Sequence, residues 1–171
     1  MAVLCHTIYF CKGDFLMKEL AKMLIDTHLS IASVESFTVG HFASRIGMNP
    51  GISQVYRGSI VSYQTMIKHK VVGINQDLID KYGVVSSQIA REMCLHGQKI
   101  FDSDICISFT GNAGPDAMEG KPVGLIYIGI AFNDHVSVYE YRLSGERGDI
   151  VEKALALGIE NLKKEIKKNK S

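Results

Sequence analysis

The sequence carries almost no net charge: 19 Lys and Arg stand against 18 Asp and Glu, a formal +1 at pH 7. General nucleic-acid binders draw affinity from neutralised phosphates, so this balance excludes a polyanion binder and leaves room only for a small cationic site. Long hydrophobic runs are missing too. The longest, such as 125–132, are strand-sized and far below the roughly 18 apolar residues that a membrane-spanning helix needs, so no membrane association is expected. Residues 2–10 are fairly apolar but contain His6 and lack both a basic flank and a small-residue cleavage site, and no signal peptide is read there. Cys5, Cys11, Cys94 and Cys106 form no CxxC pair, and a chain of this length does not need disulfides to make up for a small core. The expectation is a reduced, cytoplasmic protein. The six histidines show no zinc-ligand spacing, which argues against a metal, and nothing calls for a cofactor. Proline and serine form no linker and no repeat divides the chain, so residues 1–171 read as one domain.

What is present is an alternation of strand and helix signals. A stripe of Leu16, Leu20, Met23 and Leu24 predicts a helix over 15–27, followed by a strand over 31–35 and a second helix from about Thr38 to Met48. A strand over 58–63 and short helices over 65–71 and 76–81 come next. Ser86 reads as the N-cap of a helix carrying Ile89, Met93 and Ile100. Strands follow over 104–109, 123–132 and 136–141. Val151, Leu155, Ile159, Leu162 and Ile166 recur at helical spacing, so the lysines crowding the last nine residues belong to the wet face and last turn of a terminal helix. The pattern predicts an α/β sandwich with a mixed sheet.

Three segments could carry chemistry. In Val34-Glu35-Ser36-Phe37-Thr38-Val39-Gly40, Ser36 stands at a strand-to-helix junction, beside amides at the helix start that could stabilise an oxyanion; alone, Ser36 and Thr38 read more simply as helix caps. In the segment 57–68, Tyr63 closes a strand and Lys68 follows one helical turn on, so both could converge on one sheet edge. A desolvated lysine can lose its proton near neutral pH and serve as the base for a serine, although an edge tyrosine and a solvated lysine is the plainer account. In Ser108 to Asp116, the loop containing Gly111, Asn112 and Gly114 can bring backbone N–H groups close to an anion, or it can be a plain tight turn.

Taken in order, six segments resemble the C-terminal domain of the CinA (competence/damage-inducible) proteins, whose stand-alone versions are nicotinamide-nucleotide amidohydrolases. They are Glu35 to Gly40 against the family's ESCTGG, Gly58 through Tyr63 to Lys68, Gly83-Val84-Val85-Ser86, Thr110 to Pro115 against TGxAGP, Lys121-Pro122-Val123-Gly124, and Ser144-Gly145-Glu146-Arg147. The resemblance covers the chain from about residue 15, leaving 1–12 as an extension that could be an extra strand or an oligomer contact. It implies a three-layer α/β/α sandwich that self-associates into a homo-oligomer, and no cofactor. The implied activity is conversion of nicotinamide mononucleotide to nicotinic acid mononucleotide and ammonia in pyridine nucleotide salvage, without the activity of the larger N-terminal domain to which the family is often fused. Ser36 would be the nucleophile, Lys68 its general base and Tyr63 an orienting or proton-relaying partner. Thr38, Thr110, Gly111, Asn112, Gly114 and Arg147 would bind or polarise the nucleotide, with Lys121 as a further cation for its phosphate. Arg147 would favour a neutral lysine if near Lys68, or hold the phosphate if nearer Gly111.

The match departs from the family at two positions beside the nucleophile. Phe37 replaces a small cysteine and Val39 a glycine, and a β-branched residue is a poor substitute wherever a positive φ is required. Ala117 and Met118 also stand where glycines are usual. Two readings follow: an amidohydrolase of altered substrate range, or a catalytically weak or inactive nucleotide-binding module of the same fold.

Overall fold

A computed structural model describes residues 2–169, with side chains from Gly13 onward. Five strands form one mixed sheet in the order β2-β1-β3-β4-β5. β1 (Ile31–Glu35), β2 (Tyr56–Val61) and β3 (Ile105–Gly111) run parallel, and β4 (Leu125–Phe132) and β5 (His135–Arg142) add antiparallel to β3. β1 is buried along its whole length, as expected of a parallel strand covered on both faces. In β3 the alternation sorts the side chains: Ile105, Ile107 and Phe109 join one core, and Cys106 joins the other.

The first core lies beneath α1 (Ala2–Thr27), α2 (His41–Gly47) and α6 (Arg147–Lys168); the second lies beneath α4 (Gln76–Tyr82) and α5 (Ser87–Phe101), with α3 (Thr65–Lys70) at the sheet's edge. The layers are therefore α/β/α, as expected. α6 approaches β3 closely because Gly158 faces it: a Cβ there would meet the Phe109 ring at 2.7 Å.

Several elements start or end away from their expected positions. The first helix begins at Ala2, so residues 2–12 add no strand; what the side chains of that segment contact lies outside the described residues. β2 ends at Val61 instead of reaching Tyr63, because its pairing with β1 stops at Glu35↔Val61 and the Ser62 amide then closes on the Glu35 carbonyl at 2.7 Å. α2 starts at His41 and not Thr38, because Val39 and Gly40 take left-handed conformations with φ of 49° and 83°. α5 starts as expected, with the Ser86 hydroxyl accepting from the Ile89 amide at 3.3 Å. Among the described residues, no helix is long and apolar enough to cross a membrane.

Candidate active site

The carboxyl ends of β1 and β3 part at the point where the chain order reverses, since β1 leads to β2 on one side and has β3 on the other. Open α/β sheets commonly bind ligands in the crevice at such a point. Here the crevice is a cavity of about 300 Å³. Ser36 from the end of β1, Tyr63 from beyond β2, Val84 and Val85 from the turn before α5, Thr110 to Asp116 from the end of β3, and Arg147 from the start of α6 all line it.

Ser36 is held by its own backbone, whose amide donates to the Phe109 carbonyl at 2.9 Å. Neither Ser36 nor Thr38 caps α2. The cap residue is Gly40, which has no side chain to offer, and the helix amides are taken by Glu35 instead: Phe42 N and Ala43 N donate to its carboxylate at 3.2 and 2.9 Å. Glu35 is fully buried and also accepts from Thr38 Oγ1 at 2.8 Å and Ser33 Oγ at 3.3 Å. Ser33 in turn meets Ser59, whose hydroxyl meets that of Tyr56 at 2.6 Å. The expected use of helix-start amides as an oxyanion site is therefore corrected, because those amides already have a partner. Phe37 N and Thr38 N, in the turn itself, remain without one among the described residues.

Lys68 is completely buried, a rare state for a lysine. Its Nζ lies 2.9 Å from Ser36 Oγ and 2.6 Å from the Ser62 carbonyl oxygen. Burial lowers its pKa from 10.5 to about 8, against an opposing pull from the negative charge of Glu119. A neutral Lys68 can donate one N–H to Ser62 O and turn its lone pair to the Ser36 hydroxyl. That distance is within the reach of a general base.

The structure brings some of the remaining expected residues to the cavity and commits others elsewhere. Tyr63 is exposed, and its hydroxyl accepts from Arg147 at 3.3 Å rather than from Lys68 or Ser36. Arg147 also donates to the Gly114 carbonyl at 2.7 Å, which places it on the loop side of the cavity. Thr110 donates to the Val84 carbonyl at 2.6 Å. Asn112 ties its own loop, donating to Lys121 O at 3.2 Å and accepting from Gly114 N at 3.2 Å. Gly111 lies against β4, where a Cβ would fall 2.8 Å from the Ile126 Cα. Thr38 is buried on Glu35 and faces a neighbouring cavity. Lys121 Nζ is spent on Tyr82 O and Glu119, at 2.8 and 3.1 Å, and does not line the cavity. Among the described residues, no cluster of His, Cys, Asp or Glu could hold a metal ion.

Ser36, Lys68, Thr110 to Pro115 and Arg147 thus meet at one end of the sheet, and the model of the CinA C-terminal domain family matches residues 13–166. The chain belongs to the CinA C-terminal domain family. Among its relatives are competence-damage inducible proteins of Levilactobacillus brevis, 38% identical over 88% of this chain, and of Clostridium novyi, 40% identical over 92% of it. The chain spans only 36% and 38% of those relatives' lengths. Solved CinA superfamily proteins share the fold: that of Enterobacter cloacae matches with a TM-score of 0.87 at 25% identity, over 90% of this chain and 92% of that one. The Escherichia coli protein matches with 0.85 at 24% identity, over 88% of each.

Two carboxylates at this CinA-type site were missed by the sequence reading. Glu35 had a weak signal, an acidic residue at the end of a strand just ahead of a helix, since a negative charge suits a helix N-terminus. Glu119 had none, because its partners Val84 and Val85 are more than thirty residues away.

Proposed function

We propose that this domain hydrolyses the carboxamide of nicotinamide mononucleotide, giving nicotinic acid mononucleotide and ammonia through a Ser36/Lys68 dyad. The observation that carries the reading is the 2.9 Å approach of a fully buried, pKa-lowered Lys68 to Ser36 Oγ. Neutral Lys68 takes the Ser36 proton as Oγ attacks the amide carbon. The oxyanion that forms is assigned to the turn amides of Phe37 and Thr38, which have no partner among the described residues. Lys68 returns the proton to nitrogen, the C–N bond breaks and ammonia leaves a nicotinoyl ester on Ser36. Water, deprotonated by Lys68, then releases the acid. Arg147, at the first turn of α6, lines the cavity and is held by the Gly114 carbonyl and the Tyr63 hydroxyl instead of by Lys68, which suits it to the substrate phosphate; Thr110 and the backbone at Gly111 and Gly114 shape the wall.

Val39 favours a second reading, a weakened enzyme that still binds nucleotide, because it holds the Ser36 turn in a conformation unsuited to a β-branched residue. One experiment separates the two: ammonia release from nicotinamide mononucleotide by wild type and Ser36→Ala, beside a thermal-shift titration. Release by wild type alone supports the amidase. Stabilisation by the nucleotide without release supports the binding module, and equal release by Ser36→Ala overturns the nucleophile.

A further inference from the structure

The loop after β3 turns back on itself where Met118 and Lys121 pair, with Lys121 N donating to Met118 O at 2.9 Å. That turn delivers Glu119 to the segment before α5. Its carboxylate accepts from Val84 N at 2.8 Å and Val85 N at 3.3 Å, while its neighbour Lys121 donates to Tyr82 O at 2.8 Å. Thr110 donates to Val84 O at 2.6 Å. The Val84 residue is thus gripped at its N–H by Glu119 and at its carbonyl by Thr110, and Val84 and Val85 form a wall of the cavity that Ser36 lines.

We propose that Glu119 is a positioning residue for the Ser36/Lys68 dyad, staking the Val84–Val85 wall to the loop that closes the cavity beside Ser36. The proposal rests on the amidase reading. Burial alone would raise the Glu119 carboxyl, but the Val84 amide, Lys121 and the Val85 amide together hold it below the usual carboxylate range, so the charge persists at neutral pH. Other ionisable groups stand differently around Lys68. His69 and Lys70 are exposed on its own helix, and Glu35 is committed to the α2 amides. Tyr63 and Arg147 pair at the cavity, Asp116 lines it, and Lys121 sits on Glu119. Glu119 is the charge that pulls Lys68 upward.

Glu119→Gln keeps an oxygen for the Val84 amide and drops the charge; Glu119→Ala drops both. The test follows Lys68 by NMR of 13C-labelled lysine across pH in wild type and both variants, with ammonia release measured alongside. In Glu119→Gln, Lys68 is expected to titrate at lower pH, the acidic limb of kcat/KM moving with it. In Glu119→Ala, KM for the mononucleotide is also expected to rise about tenfold, from loss of charge-assisted bonds to the wall. Lys68 titrating at the same pH in wild type and Glu119→Gln, or an unchanged KM in Glu119→Ala, would overturn the proposal. Thermal unfolding checks that each variant folds, and Glu119→Gln decides alone if Glu119→Ala does not. The lysine titration needs no turnover, so a wild type that releases no ammonia would count against the amidase reading and leave the Glu119 shift to be read separately.

Discussion

At the scale of single residues, the site is built from side chains placed against their ordinary preferences. Lys68 is the buried residue of α3, while its neighbour Met66 is exposed. Carrying a proton there at neutral pH costs about 3 kcal/mol, from the fall of its pKa from 10.5 to about 8. Because the folded state binds the proton less well, this cost is present in full below pH 8 and disappears as pH rises to the unfolded value. Val39 is the second such residue, β-branched, 54% exposed and at φ 49°. Its side chain buries little, so relief of the left-handed conformation outweighs the flexibility glycine adds to the unfolded chain. Val39→Gly is expected to stabilise the protein by about 1 kcal/mol in urea unfolding at constant m; a loss of stability would show that the valine makes contacts outweighing its strain. The Val39 departure was legible from the sequence as a conformational problem. Burial of Lys68 was legible only as a chemical requirement, since hydropathy sends Met66 inward and Lys68 outward.

At the scale of elements, the junction between β1 and α2 explains why a serine stands free. A strand carboxylate, Glu35, satisfies the helix amides that Ser36 or Thr38 would otherwise cap. Glu35→Ala leaves those amides and the Thr38 hydroxyl unpaired in the interior, so a loss of about 2 kcal/mol is expected, read as a lowered urea midpoint. An unchanged midpoint would mean that the turn finds another cap. The elements themselves were largely visible in the sequence. The stripe 16–24 placed the C-terminal half of α1, though not its start at Ala2, and the Ser86 cap placed the start of α5, because both signals are local. The start of α2 and the end of β2 were misplaced by two or three residues because each is set by Glu35, through bonds that cross between elements. The loop after β3 showed its glycines, but not that Asn112 would close on its own turn or that Lys121 would serve Glu119 instead of a phosphate.

At the scale of the whole molecule, the sheet reverses its order between β1 and β3 and opens a crevice where three parallel strands end. The even charge of the chain, 19 against 18, is compatible with a site that carries one buried lysine and one arginine beside a cavity of about 300 Å³. The domain spans 36% and 38% of the two relatives' lengths, and the dyad lies wholly within it. The central claim is that neutral Lys68 activates Ser36, and the pH dependence of kcat/KM for ammonia release tests it most directly. Activity requires the unprotonated lysine, so log kcat/KM is expected to rise with unit slope up to about pH 8 and level above it, and Lys68→Ala is expected to lose both the limb and the activity. A limb in the ordinary carboxylate range, or one that survives unchanged in Lys68→Ala, would contradict the account.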